Sequence, residues 1–266
     1  MPVSVPASAP RVGLCLALAL LLAPGSAGLA QEPEFEGMIR IRLLSVDVDH
    51  AESLEKVSVS SLLNLPTGYL LQLKKSDGSP AANSSLQTYY VKEGVIRVET
   101  DDTDDEGVYI LVDLRRAVIT TVSPDEEEYT EVTIADLAAP LIPLLRSSGY
   151  QVRPLNRTEK INGIEATGYE AKAGDNVVRA WVTKAYPELT QYFARLVETI
   201  PAGQNSEAAQ ILALAGTGTP VLVQMIDMDG RKVDHYEVQE LLSVRRQPVD
   251  PRLLIVPEGF ERKSPR

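Results

Sequence analysis

Apolar and polar residues alternate along most of the chain from residue 35 onward. Residues 35–49 (FEGMIRIRLLSVDVD) alternate over Ile39, Arg40, Ile41, Arg42 and Leu43, and again over Val46, Asp47, Val48 and Asp49. A period of two predicts a half-buried strand. Residues 54–85 are broken by Pro66-Thr67-Gly68, and Lys75–Ser85 reads as a polar loop. Residues 86–100 (LQTYYVKEGVIRVET) predict a hairpin, with Tyr89–Lys92 and Val95–Val98 flanking Glu93-Gly94. Within it Val95, Arg97 and Glu99 share one face and Ile96 and Val98 the other, which predicts one wet face and one buried face. Val108–Leu114, Ala117–Val122 and Tyr129–Ile134 predict three further strands joined by polar turns.

Two stretches carry a helical period instead. Ile134–Arg146 places Leu137, Leu141, Leu144 and Leu145 at helical spacing, but Pro140 and Pro143 interrupt it, so a short broken helix is expected. Pro187 opens a second helix at its first turn, with Leu189, Phe193, Leu196, Val197 and Ile200 as the apolar stripe. Ser206–Ala215 continues as helix up to the stop at Gly216-Thr217-Gly218. Lys160–Lys172 predicts a hairpin at Asn162-Gly163, Val177–Lys184 a strand, and Val221–Asp227 with Lys232–Val244 a hairpin across Asp229-Gly230. Arg262–Arg266 reads as a frayed basic tail. The sum is about ten strands and two or three helices. Consecutive strands joined by tight turns pair antiparallel, so the class is α+β with a single antiparallel sheet.

The first thirty residues follow a different pattern. Arg11 precedes the apolar run Val12–Ala23, Pro24-Gly25-Ser26 forms a turn, and small residues stand at Gly28 and Ala30. This is the layout of a secretory signal peptide, with cleavage expected after Ala30 and Ala27 as the next choice. The run is too short to span a bilayer, which takes about 20 apolar residues. Cys15, the chain's one cysteine, lies inside it. The mature chain then carries no thiol, and a disulfide framework or multi-cysteine metal site is excluded. The net charge of −11 argues against a nucleic-acid partner, because phosphate contacts need a surplus of Lys and Arg. The expected organisation is a signal peptide at 1–30, one domain at 31–261 and a basic tail at 262–266, in a periplasmic or secreted protein.

Several motifs, taken in order, resemble a family of uncharacterised bacterial exported proteins known only as a domain of unknown function. They are Phe35-Glu36-Gly37, Tyr89-Tyr90-Val91 with Ile96-Arg97-Val98-Glu99, Leu111-Val112-Asp113-Leu114 with Arg115-Arg116 and Pro124–Tyr129. Ile161–Tyr169, Trp181-Val182-Thr183-Lys184, Asp229-Gly230-Arg231 and Val256-Pro257-Glu258-Gly259-Phe260 follow. The family often carries a cysteine in the Gly-Tyr hairpin; here Glu170 follows Tyr169. Such chains resemble the bacterial lipoprotein-carrier fold of the LolA/LolB type. The resemblance implies a curved sheet forming an incomplete barrel, two or three helices packed on its concave side, and an apolar cavity for acyl chains. It implies no catalytic residues.

Candidate chemistry is sparse. Asp101–Gly107 approximates a calcium loop, but a strand follows where a helix should, which favours a solvated turn. Asp47, Asp49 and His50 lack a further metal ligand. Asp234 and His235 are strand neighbours and point to opposite faces. No Gly-x-Ser-x-Gly elbow occurs, and Gly216-Thr217-Gly218 lacks the rest of a dinucleotide loop. Asn83 and Asn156 head glycosylation sequons, relevant only to a eukaryotic secretory route. Strand aromatics either pack as ordinary core or line a cavity. Tyr90, Tyr109, Tyr129, Tyr169 and Trp181, with Phe193 from the helix, are the cavity candidates. The expectation is a non-enzymatic binding protein of the envelope for a lipid or other hydrophobic small molecule, without cofactor, metal or membrane span. The alternative is a structural or interaction module with a filled core and an unspecified protein partner.

Overall fold

The computed structural model describes residues 35–48, 51, 54, 57–101, 107–138, 151–173, 176–190, 218–229 and 232–265. The strands are β1 (Gly37–Val46), β2 (Ala82–Lys92), β3 (Val95–Thr100), β4 (Tyr109–Asp113), β5 (Val118–Ser123) and β6 (Glu128–Thr133). They continue as β7 (Gln151–Ile161), β8 (Ile164–Ala173), β9 (Asn176–Thr183), β10 (Thr219–Asp229), β11 (Lys232–Arg246) and β12 (Glu261–Lys263). All twelve join one sheet in the order β12-β6-β5-β4-β3-β2-β1-β11-β10-β9-β8-β7. The sheet does not close, since β12 and β7 stand at its two ends. Helices are short: α1 (Val59–Leu62), α2 (Thr67–Leu70) and α3 (Ile134–Ala138), with residues 187–190 opening a further helix at Pro187.

The expected hairpins form. Glu93 and Gly94 at β2–β3, and Asn162 and Gly163 at β7–β8, all take positive φ, as a two-residue hairpin turn requires. Each consecutive pair from β2 to β6 is antiparallel, and so are β7–β8, β8–β9, β9–β10 and β10–β11. β1 and β11, far apart in sequence, pair at the centre of the sheet. Register shifts at Leu242 and Asp234 in β11, Val221 in β10 and Leu155–Arg157 in β7 are bulges, which bend a strand and increase its twist.

Three expectations change. Residues 82–85 of the expected polar loop are strand, paired to Leu43–Val46; the β1 ladder satisfies their backbone, so polar side chains do not exclude them. Residues 261–263 of the chain end do not fray. They pair parallel with Glu128–Thr130, and Lys263 and Arg262 reach Glu128 and Glu131. The face carrying Arg97 and Glu99 is only partly exposed, because the chain's own C-terminal segment lies over Arg97.

The register gives the two faces different chemistry. Ile39, Ile41 and Leu43 of β1 share the front face with Tyr89 and Val91, Ile96 and Val98, Val112 and Leu241, in one buried cluster. Beyond Gln239, Val223 and Ala180 form a separate small cluster toward β8, in register with Tyr169. The back face is covered by two connections. The β1–β2 link packs Leu54, Leu62, Leu70 and Leu73 on Leu44, Val46, Tyr236 and Val238. Its helix α1 begins at Ser58, whose hydroxyl accepts from the Ser61 amide, a side-chain cap for an otherwise orphan donor. At the other end Val256 and Phe260 pack on Tyr109, Leu111, Val122 and Tyr129.

Candidate functional site

The Phe-Glu-Gly motif joins the two termini of the domain. Phe35 is buried in the front cluster. Glu36 Oε1 accepts from the Val249 amide at 2.8 Å and from Lys92 Nζ at 2.9 Å. Both bonds, that from Val249 foremost, hold its carboxyl below the usual range. Gly37 is required: a Cβ there would collide with the Arg245 carbonyl of β11 and lie 2.9 Å from the Phe35 ring. The motif is therefore a structural clasp.

The strand aromatics divide by face. Tyr129, Val122, Tyr109 and Glu99 are successive register partners, and Tyr90 pairs with Arg97 on that same back face. There the Arg97 guanidinium lies 3.4 Å from the Tyr109 ring centroid, a cation–π stack. Its Nε donates to Glu99 at 2.7 Å and its Nη1 to the Leu253 carbonyl at 3.2 Å. Burial raises the Tyr109 and Tyr90 hydroxyl pKa values. Trp181 stands opposite Gly168 and Leu222 and is buried in the same cluster as Ile39, Tyr89 and Leu241. A Cβ at Gly168 would lie 2.9 Å from the indole, so the glycine seats the ring, and Arg157 covers it at 5.5 Å. Tyr169 is on the front face, in line with Ala180 and Val223. Phe193 lies outside the described residues, as do the stripe beyond Thr190 and Ser206–Ala215. One surface thus holds Tyr90, Tyr109 and Tyr129, while Trp181 packs into the buried cluster of Ile39, Tyr89 and Leu241 and Tyr169 packs beside Ala180 and Val223.

A buried polar network sits under α1. Glu170 accepts from Arg179 Nη2 at 2.9 Å and from Arg153 Nη2 at 2.6 Å. Burial pushes the Glu170 carboxyl up, and the two arginine hydrogen bonds outweigh it, leaving its pKa below the ordinary 4.5. Arg179 Nη1 donates to the Leu63 carbonyl and to Asn64 Oδ1. Gln224 Nε2 donates to the Tyr236 hydroxyl, which donates to the Leu62 carbonyl, and burial pushes that hydroxyl up to about 12. These groups tie the β1–β2 link to the sheet.

Two front-face residues were not among the cavity candidates. Tyr89 donates to Gln87 Oε1 at 2.5 Å, and Gln239 lies between Leu43 and Val223. Strand parity carried their signal, because both alternate with residues of the opposite face. Asp47 accepts from Lys75 at 2.8 Å, and His235 contacts Glu237 at 2.8 Å. Residues 49–50 and 102–106 lie outside the described residues. Asn83 and Asn156 are exposed.

A model of the domain of unknown function DUF4412 matches residues 70–260, most of the chain. The chain belongs to this family. DUF4412 membership agrees with the motif order read from the sequence. No curated protein matches the chain. Among solved structures it is similar to PNGF-II at 10% identity and TM-score 0.36, covering 86% of this chain and 32% of that one. The chain thus spans about a third of PNGF-II. It is also similar to a LolA superfamily protein from Nitrosomonas europaea, at 9% identity and TM-score 0.33, covering 91% and 96%. MucB, solved in complex with MucA(peri), is similar at 12% identity and TM-score 0.34, covering 82% and 53%. Among the described residues no helix is long and apolar enough to cross a membrane.

Proposed function

We propose that this DUF4412 protein is an exported, non-catalytic binding protein of the cell envelope that holds a lipid or other hydrophobic molecule against the front face of a half-barrel. The observation that carries this reading is the chemical difference between the faces. The back face is crossed by Arg42–Glu240, Arg179–Glu170 and Arg97–Glu99 and is covered by the chain's own links. The front face carries an apolar cluster from β4 to β11 and, beyond Gln239, a second one around Val223, Ala180 and Val182. Ile134 and Leu189, from the described ends of two helices, belong to the front cluster, which supports helices packed on this side as its lid. Of the six aromatic candidates, Trp181 belongs to the front cluster and Tyr169 to the smaller one beside it, and Tyr89 joins them as a lining residue. Residues 1–30 are the signal peptide in this reading, and the remainder folds as one domain in the periplasm or outside the cell.

The test is to express the full chain with its leader and purify the mature protein from the exported fraction. Organic-solvent extraction and mass spectrometry then identify what it carries. About one lipid per protein is expected, and Tyr169→Asp lowers that occupancy. A lipid-free protein that takes up no apolar fluorophore overturns the reading in favour of a filled interaction module.

A further inference from the structure

Three adjacent strands of the front face share one gradient. Along β2 the front residues run Val91, Tyr89, Gln87, Ser85, Asn83; along β1, Ile39, Ile41, Leu43, Ser45; along β11, Val244, Leu241, Gln239, Glu237, His235. In space the strands lie in the order β2-β1-β11, so their apolar ends coincide and so do their polar ends. From Ile39 to Ser45 the face changes from wholly apolar to hydrogen-bonding over about 20 Å, at roughly 3.4 Å per residue. A filled core has no need of such a gradient, whereas an amphiphile lying along the strands matches it.

The polar end has a definite sign. Gln239 is 6% exposed and stands on the front face between Leu43 and Val223, so its side-chain amide places hydrogen-bonding groups at the end of the apolar stretch. One pleat further along, Glu237 presents a carboxylate that contacts His235 at 2.8 Å, and Asp227 is the register partner of His235 on β10. At this end the front-face positions of β2, β1 and β11 hold no lysine or arginine, and Arg246, at the opposite end of the β11 run, is held by Glu188; Lys75, beyond the strand ends, is held by Asp47. A carboxylate or phosphate head would be repelled by the Glu237 and Asp227 carboxylates here, whereas an ammonium head would pair with them, a charge-assisted contact.

We propose that the bound molecule is an amphiphile with a cationic, amine-bearing head, its chain lying toward Ile39 and Val244 and its head at Gln239 and Glu237. This deepens the binding reading given above and rests on it. The experiment loads the purified mature protein with the neutral fluorophore N-phenylnaphthylamine and displaces it with dodecylamine or dodecanoate. Dodecylamine is expected to displace the probe at a concentration about tenfold lower than dodecanoate, the effect of one charge-assisted contact. Glu237→Gln and Gln239→Leu are expected to narrow that ratio to within about twofold while probe uptake persists. Equal displacement by the two amphiphiles, or a ratio unmoved by both substitutions, overturns the head-group assignment and leaves the binding reading standing. No uptake of the probe overturns the binding reading itself.

Discussion

At the scale of single residues, the Glu170–Arg179 pair places two charges where water cannot reach them, with side chains 5% and 9% exposed. Such a pair contributes little over an apolar pair of the same shape, but removing one partner leaves the other charge uncompensated. Glu170→Gln is therefore expected to lower stability by about 3 kcal/mol, read from urea midpoints at neutral pH. The pH dependence follows from the direction of the shift. Folding lowers the Glu170 pKa, so its contribution is present above the unfolded value near 4.5 and is lost as pH falls through the folded value. The wild type should thus approach the Glu170→Gln variant as pH drops below 4.5 and on through the lowered folded value. A difference between the two proteins that stays constant from pH 7 to pH 3 would show that the carboxylate charge is not what stabilises. Nothing local in the sequence announces this pair. Glu170 and Arg179 are nine residues apart on different strands, and only their register makes them partners. The aromatics were hard to read for the same reason. Tyr89 and Tyr90 are adjacent and equally suited to line a cavity, yet parity sends them to opposite faces.

At the scale of elements, the hairpins were legible because their signal is local. Glu93-Gly94 and Asn162-Gly163 supply the positive φ values, and the flanking alternation fixes the faces. Elements whose existence depends on a distant partner were not legible. Residues 82–85 are polar and become strand through β1, and residues 261–263 become strand through β6. The glycines separate these causes experimentally. Gly37→Ala forces a Cβ into the Arg245 backbone, which cannot move without disturbing the β1–β11 ladder, and a loss of about 3 kcal/mol is expected. Gly168→Ala presses on the Trp181 ring and the Leu155 methyl, which can shift, and about 1–2 kcal/mol is expected. Gly68→Ala meets nothing within 4 Å in exposed α2 and should stabilise by about 0.5–1 kcal/mol through helix propensity and reduced unfolded-state entropy. Thermal or urea unfolding followed through Trp181, the chain's one tryptophan, ranks the three directly. An order in which Gly37→Ala is the mildest would contradict the close approach of β1 to β11.

At the scale of the whole molecule, the chain solves two problems with one C-terminal segment. After β11, near the middle of the sheet, it crosses the back face and adds a strand beyond β6. On the way the Val249 amide bonds Glu36, the Leu253 carbonyl accepts from Arg97, and Val256 and Phe260 cover Tyr109 and Val122. Its last strand occupies part of the β6 edge, which would otherwise offer unpaired backbone groups to other chains. Two truncations separate these roles. Ending the chain after Phe260 removes β12 alone and leaves the apolar cover, so a folded monomer with a small drop in unfolding midpoint is expected. Ending it after Arg246 uncovers Tyr109, Leu111, Val122 and Tyr129 together and removes the partners of Glu36 and Arg97. That chain should bind a hydrophobic dye, elute as oligomers in size-exclusion chromatography, and lose amide-exchange protection in β3–β6 before β9–β11. Protection lost evenly across the sheet would mean that the twelve strands unfold as one cooperative unit and that the segment contributes only its share of that total. The uneven pattern would mean that the β3–β6 half depends on the segment, while the half built on β11 stands without it.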